Sequence, residues 1–307
     1  MTLNAPLTEP QQHIARPKRV HVIANPAAGQ DQPILGVLNS AFRRAEIDWE
    51  LFLTKQAGDA QRFAQEAVAA GVDVVAAYGG DGTVMEVASA LHHTGVPLAI
   101  LPGGTANVMS VELGVPGALP DAVGLICGES PAVRKIDMAR TRNMMFMLRL
   151  TTGYMAEASK GAEREAKNRL GNLAYMLSAI QALPNAQISR YRLTLDGQTV
   201  EADGVACLIA NSGNMGLPGL SFARKIDVSD GLLDVIVIPE TSLGALLTVA
   251  ANAVGLTEAL PHWQAREVTL EADPAQEIEC DGEMIEGTPI SASILPGALR
   301  VIVPTIG

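Results

Sequence analysis

Val72-Asp73-Val74-Val75-Ala76-Ala77-Tyr78-Gly79-Gly80-Asp81-Gly82-Thr83-Val84-Met85-Glu86 is the stretch whose reading decides the fold. Its first half is an almost unbroken apolar run, the pattern of a strand buried on both faces. It breaks at two glycines and resumes with Val84, Val87, Ala88 and Leu91 at i, i+3, i+4 and i+7, one face of a helix. A buried strand, a Gly-rich turn and a helix make the repeating unit of an open α/β sheet, which binds ligands at the carboxyl ends of its strands. Glycines let backbone amides approach phosphate oxygens closely, and the helix N-terminus adds positive partial charge. The same residues admit a plainer reading. Asp81 could cap the helix, and Thr83 with Glu86 has the Thr-x-x-Glu spacing of a capping box.

The neighbouring segments repeat the rhythm. Val20 to Ala24 reads as a strand ending in Asn25-Pro26-Ala27-Ala28-Gly29. Ile34 to Ala45 is a helix, Trp49 to Leu53 a strand, and Ala57 to Ala70 a helix. Pro97 to Leu101 is a further strand, followed by Pro102-Gly103-Gly104-Thr105-Ala106-Asn107. If the sheet is parallel, all three Gly-bearing loops share one edge and supply amides and small hydroxyls without bulk. No Gly-Lys-Ser/Thr occurs, so phosphate would be held without a P-loop lysine. After Pro131 short strands dominate: Met145 to Thr151, Ile188 to Leu195, Val205 to Ala210, Leu233 to Ile238, Val268 to Leu270, Ile278 to Cys280, Ile290 to Leu295 and Leu299 to Val303. Two helical insertions, Ala156 to Leu183 and Leu243 to Leu256, interrupt them. The fold class is α/β plus all-β: an N-terminal three-layer α/β domain and a C-terminal antiparallel β-sandwich. The expected layout is a flexible tail at 1–17, an α/β domain at 18–135 and a sandwich at 136–300, the last strand (298–304) packing back toward the first domain.

Two later segments carry carboxylates. Cys280-Asp281-Gly282-Glu283 has the Asp-Gly pair of a hairpin turn, with a second carboxylate that could act as general base toward a hydroxyl. Asp196-Gly197, between Leu193 to Leu195 and Thr199-Val200, reads as a hairpin alone. Asp227-Val228-Ser229-Asp230-Gly231-Leu232-Leu233-Asp234 reads either as a solvated turn or as hard oxygen donors for a cation such as Mg²⁺.

Bulk properties narrow the class. The chain has 307 residues, 48% of them hydrophobic, and a formal net charge of −11. Such a surface argues against nucleic-acid binding and does not favour unaided docking on an anionic bilayer. The cysteines, Cys127, Cys207 and Cys280, show neither a disulfide framework nor zinc spacing, as expected of an intracellular chain. Met1 to Lys18 has no apolar run of signal-peptide type, and Leu243 to Leu256 is too short to span a bilayer.

In order, Asn-Pro-x-x-Gly, Gly-Gly-Asp-Gly-Thr, Leu-Pro-x-Gly-Thr-Ala-Asn, Asp-Gly-Leu-Leu-Asp-Val and Asp-Gly-Glu resemble the diacylglycerol kinase catalytic-domain family, bacterial soluble lipid kinases related to sphingosine and ceramide kinases. The resemblance covers about residues 18 to 303. It implies an ATP-binding domain like that of NAD kinases and phosphofructokinases, and a β-sandwich domain supplying a lipid cleft that faces the nucleotide. It implies ATP contacts at Asn25, Pro26, Gly29, Thr54, Gly79, Gly80, Asp81, Gly82, Thr83 and Glu86, with Gly104, Thr105, Asn107 and Asp281 beside the nucleotide. Glu283 inherits the role of proton acceptor, with Asp81 as the second catalytic residue. Asp227, Asp230 and the carbonyl of Leu232 match a Mg²⁺ site. The family's usual Asp-Phe-Ala-Arg after Thr-Ala-Asn is replaced here by Val108-Met109-Ser110-Val111.

The expected reaction is transfer of the ATP γ-phosphoryl group to the hydroxyl of a diacylglycerol-like or sphingoid lipid, with ATP and Mg²⁺ as cofactors. Expected partners are ATP, a lipid acceptor and, transiently, a membrane surface, with no nucleic acid; edge strands offer a route to a homodimer. The expected location is the cytoplasm, extending to the inner membrane face. The alternatives are an NAD kinase-like enzyme, which shares Gly-Gly-Asp-Gly-Thr, and a catalytically silent lipid-binding regulatory protein.

Overall fold

The computed structural model describes residues 11–28, 33–142, 144–153, 156, 187–217, 220–221, 226–240 and 260–305. Gly29, the first ten residues of the tail, the helix expected at 243–256 and all but the first residue of that expected at 156–183 lie outside the described residues. The chain divides into two units, Met1–Asp137 with Pro296–Gly307 and Met138–Leu295.

The first unit is built on β1 (Arg19–Ala24), β2 (Asp48–Leu53), β3 (Val74–Gly79) and β4 (Leu98–Pro102), all parallel, in the order β2-β1-β3-β4. Every residue of β3 and β4 is buried, which is why both read as unbroken apolar runs. The helices are α1 (Ile34–Arg44), α2 (Asp59–Ala69), α3 (Asp81–Leu91), α4 (Val108–Glu112) and α5 (Leu119–Cys127). α1 packs beside α5, and α2 beside α3. Because β1 leads outward to β2, and β2 leads back past β1 to β3, right-handed crossovers put α1 on one face and α2 and α3 on the other. The strand order thus reverses between β1 and β3, and their C-terminal ends form a topological switch point.

Two of these helices fall where no element was expected. α5 buries Leu119, Ala122, Val123 and Ile126, a spacing of i, i+3, i+4 and i+7 that was present in the sequence. α4 is a single short turn after Asn107, which has a left-handed backbone (φ 46°).

The second unit is antiparallel. One sheet contains β6 (Arg149–Gly153), β9 (Ala206–Ala210), β10 (Leu233–Ile238), β11 (His262–Ala265), β13 (Ile278–Cys280) and β14 (Glu283–Ile285), in the order β11-β10-β9-β6-β13-β14. Facing its inner side are β7 (Ser189–Leu195), β8 (Gln198–Gly204), β12 (Glu267–Asp273) and the first residues of β15 (Ile290–Val303), paired as β8-β7-β12-β15. Alternation sets the faces: Tyr191, Leu193 and Leu195 are buried with Ile209, Val235, Val268 and Ile290, while Arg190 and Arg192 are exposed. The sandwich and the α/β architecture are the ones the sequence implied.

β15 was expected as two strands split at Pro296-Gly297. It is one strand of 14 residues. The Gly297 N–H donates to the buried carboxylate of Asp137 at 2.6 Å, which holds the Pro-Gly irregularity in place. Beyond it, Val301 lies opposite Leu98 of β4 in parallel pairing. Asp137 belongs to β5 (Ala132–Thr141), a strand at the expected domain boundary that its four charged residues hid from the sequence pattern.

Candidate active site

The three Gly-bearing loops of the first unit meet at the C-terminal edge of its sheet. The Asn25 N–H donates to the Tyr78 carbonyl at 2.9 Å, and Asn25 Nδ2 lies 3.5 Å from Thr83 Oγ1. Asn25 Oδ1 accepts the Ala27 N–H at 2.9 Å, an Asx turn that shapes its own loop. The Gly103 N–H donates to the Gly79 carbonyl at 2.9 Å, and the Met109 N–H donates to Asp81 Oδ1 at 3.3 Å. Asn25, Gly79 to Thr83 and Gly103 to Met109 are therefore one site.

Close approach explains two glycines there. A Cβ on Gly104 would sit 2.5 Å from Gly80 Cα, and one on Gly79 would sit 2.5 Å from Thr83 Oγ1. By contrast, a Cβ on Gly82 would meet nothing within 4 Å, so the third glycine keeps a surface open rather than filling a contact. Asn107 closes the loop after β4. Its Oδ1 accepts the Gly104 N–H at 2.9 Å and its Nδ2 donates to the Gly104 carbonyl at 2.7 Å.

The capping-box reading fails. The residue preceding α3 is Gly80, and no side chain caps the helix. Glu86 turns away: its carboxylate accepts the N–H groups of Gly58 and Ala60, each at 3.0 Å, at the start of α2. Gly80 has no side chain to cap this 11-residue helix, whose head lies at the switch point, a position suited to an anion. Thr54 stands at the end of β2, its N–H on the Ala24 carbonyl at 3.0 Å. The turn after it is fixed by Asp59, whose Oδ2 accepts the Lys55 and Gln56 N–H groups. Those bonds, the Lys55 amide first, and the Arg62 guanidinium hold the Asp59 carboxyl below its ordinary pKa. Thr105 is exposed at the tip of the loop after β4, and Pro26 is exposed after β1.

In the second unit, Cys280-Asp281-Gly282-Glu283 forms a two-residue hairpin between β13 and β14, with positive φ at both Asp281 (46°) and Gly282 (92°). Asp196-Gly197 makes the same turn between β7 and β8, with φ of 48° and 85°. Both aspartates accept backbone amides, but in different surroundings. Exposed Asp196 takes the Arg266 and Glu267 N–H groups. The Asp281 carboxyl takes those of Met147, Leu148 and Arg149 at 2.8 to 3.2 Å. The outer atoms of Asp281 reach solvent while its carboxyl points inward; burial pushes its pKa up to about 6, outweighing the amides that pull it down. Glu283 is exposed in the first position of β14, opposite Cys280. Sequence reasoning passed over Glu279, a buried carboxylate accepting the Gly282 N–H at 2.9 Å and the Thr151 hydroxyl at 3.3 Å. Its position between two buried residues of a strand hid it.

Asp227 and Asp230 shape one turn. Asp227 Oδ1 accepts the N–H and hydroxyl of Ser229, and Asp230 Oδ1 accepts the Leu232 N–H at 2.9 Å. Asp234 is fully buried on the face of β10 opposite the sandwich core, 2.6 Å from His262 Nε2. Two carboxylates and the Leu232 carbonyl are hard oxygen donors suited in type to Mg²⁺. Among the described residues no three His, Cys, Asp or Glu side chains group as a metal site, so such a site would rest on main-chain oxygen as well. Also among the described residues, no helix is long and apolar enough to cross a membrane.

An open α/β sheet with a glycine-lined helix head at its switch point, followed by a carboxylate-bearing β-sandwich, is an arrangement suited to a phosphotransferase. Residues 19–141 match the diacylglycerol kinase catalytic domain, and residues 149–303 match the YegS C-terminal NAD kinase beta sandwich-like domain. The chain therefore belongs to the diacylglycerol kinase catalytic-domain family, lipid kinases that phosphorylate an alcohol group. It is 32% identical over 268 residues to a "Probable lipid kinase YegS-like" of Pseudomonas fluorescens, covering 86% of this chain and 88% of that one. A homologue of the same name from Pseudomonas aeruginosa is 31% identical over 269 residues, covering 86% and 88%. Among solved structures, a diacylglycerol kinase from Bacillus anthracis superposes with a TM-score of 0.80 at 29% identity, covering 95% of this chain and 98% of that one.

Proposed function

We propose that this chain transfers the γ-phosphoryl group of ATP to the hydroxyl of a diacylglycerol-like or sphingoid lipid. The observation that carries the reading is the glycine-lined head of α3 beside the Gly80–Gly104 contact, where the two loops approach so closely that a Cβ on Gly104 would strike Gly80. In this reading, amides of Gly80 to Thr83 take the phosphate oxygens, and Asn25, Thr54, Thr105 and Asn107 shape the rim. Glu86 acts indirectly, by fixing the start of α2. Phosphoryl transfer asks mainly for positioning and charge stabilisation, which backbone dipoles supply without reorganising. Glu283 accepts the proton as the lipid oxygen attacks phosphorus; its exposed position on β14 leaves it open to a substrate. Asp81 keeps α3 and α4 in register through the Met109 amide and orients the reacting groups. Asp281 braces the hairpin that presents Glu283. Asp227, Asp230 and the Leu232 carbonyl would hold Mg²⁺, whose chemistry there is charge neutralisation and support of the turn. The domains would divide the work at 18–135 for the nucleotide and 136–300 for the lipid, with transient contact at the inner membrane face.

The test is incubation with γ-labelled ATP, Mg²⁺ and either a total lipid extract or NAD. Label in a lipid product, lost in Glu283→Gln by about 10²–10⁴-fold, is the expected outcome. Label in the dinucleotide instead would assign the site to an NAD kinase-like reaction.

A further inference from the structure

A second concavity lies in the first unit, away from the phosphate loops. A cavity of ≈650 Å³ runs between α1 and α5, within the roughly 300–1,000 Å³ typical of small-molecule sites. Val37, Ser40, Ala41 and Arg44 form its α1 wall at i, i+3, i+4 and i+7; Pro120, Gly124 and Cys127 form its α5 wall at i, i+4 and i+7. Apart from Ser40 and Arg44, these wall side chains are apolar or weakly polar and small. Gly36 and Gly124 also line it, each in a helix where glycine is unfavourable. Neither has a positive φ, and a Cβ on either would meet nothing within 4 Å. Close packing therefore does not require these glycines; their effect is to keep the trough open.

The charge at its rim is opposite to that of the chain as a whole, which is −11. Arg16, from the segment before β1, and Arg44, from the end of α1, both line the cavity and are exposed. Both guanidiniums act on the Cys127 thiol, pulling its pKa down against the burial that raises it, so their field reaches the trough floor. Arg16 is tied only loosely, to Gly128 O at 3.4 Å and Glu129 at 3.7 Å. Arg43 and Arg44 both complement the α1 dipole, but Arg44 alone of the two lines the cavity.

We propose that the α1–α5 trough is a binding site for a single-chain fatty carboxylate, its aliphatic chain lying on Val37, Ala41, Pro120 and Gly124 and its carboxylate between Arg16 and Arg44. A concave trough favours a monomeric amphiphile over a bilayer, which would call for protruding apolar side chains. The site is independent of the kinase reading, since it shares no residue with the phosphate loops or the Glu283 hairpin.

Cys127 supplies a local reporter, because Cys207 and Cys280 are buried while Cys127 is half-buried in the trough. The full chain would be alkylated with N-ethylmaleimide, with and without sodium oleate below its micelle concentration, and followed by mass spectrometry. Oleate should slow Cys127 alkylation at least tenfold, while decanol and inorganic phosphate, each carrying half of the chemistry, should not. Calorimetric titration should show oleate affinity at least tenfold weaker in Gly124→Leu, which fills the trough, and in Arg44→Glu, which reverses its rim. Arg43→Glu should bind within twofold of the wild type. Absence of protection by oleate, equal protection by decanol, or wild-type affinity in Arg44→Glu would overturn the assignment. So would association with anionic vesicles in the absence of any monomer binding. Because kinase activity on lipid is read separately, failure here leaves the proposed reaction untouched, and the reverse holds.

Discussion

Gly104 and Glu283 carry opposite kinds of constraint. Gly104 is fixed by geometry: its neighbour Gly80 is backbone and cannot swing aside as a side chain would. Gly104→Ala should therefore separate the two loops, lowering ATP affinity at least tenfold by calorimetry and costing about 1–3 kcal/mol of stability, as overpacking does. Glu283 is fixed by chemistry. It is exposed on a short strand, and surface substitutions away from special features usually fall within about 0.5 kcal/mol. Glu283→Gln should melt like the wild type and bind ATP normally, yet fail in transfer. Gly82→Ala makes a useful contrast to Gly104, because its Cβ would enter open space. It should fold normally and weaken nucleotide binding alone.

At the scale of elements, each helix head near the site has its own solution. α2 borrows the Glu86 carboxylate from α3, while α3 itself begins after Gly80, which has no side chain to cap it. Glu86→Ala strands the Gly58 and Ala60 amides and should cost about 0.5–2 kcal/mol, the range of a lost cap, with a thermal melt as the check. The sequence pattern could not separate these cases, since Thr83 and Glu86 have capping-box spacing and only the third dimension shows which amides Glu86 reaches. The parallel strands were legible because burial on both faces writes an unbroken apolar run. β5 was not, because its four charges break the apolar pattern and serve partners distant in sequence, such as the Asp137 carboxylate under Gly297. α5 was legible in principle from Leu119, Ala122, Val123 and Ile126. The three Gly-bearing segments were legible as loops, and their convergence followed from reading the sheet as parallel. The two Asp-Gly hairpins were legible as turns, but the depth of one carboxyl and the exposure of the other depend on what β6 and β12 bring alongside.

Across the whole molecule, Asp281 links the hairpin to the pH dependence of folding. Its pKa is raised from 3.8 to about 6, so the folded chain holds this proton more tightly than the unfolded one. The stability it contributes is fully present below about pH 4 and is lost as pH rises through 6. Asp281→Asn cannot titrate, and its amide sets a donor against backbone donors, which should cost about 1–3 kcal/mol. Urea midpoints for the pair at pH 4 and pH 7 should therefore differ more at pH 4. Equal differences at both values would mean that the carboxyl titrates in its ordinary range.

The proposed reaction divides the work: backbone amides of the first unit would hold the nucleotide, and a carboxylate of the second would take the proton. The most direct measurement is transfer of label from γ-labelled ATP into a total lipid extract, run for the wild type, Glu283→Gln and Gly104→Ala with ATP binding measured in parallel. The account predicts labelled lipid from the wild type, none from Glu283→Gln despite normal ATP binding, and none from Gly104→Ala because ATP binding is lost. Wild-type transfer by Glu283→Gln, or normal ATP binding by Gly104→Ala, would contradict it.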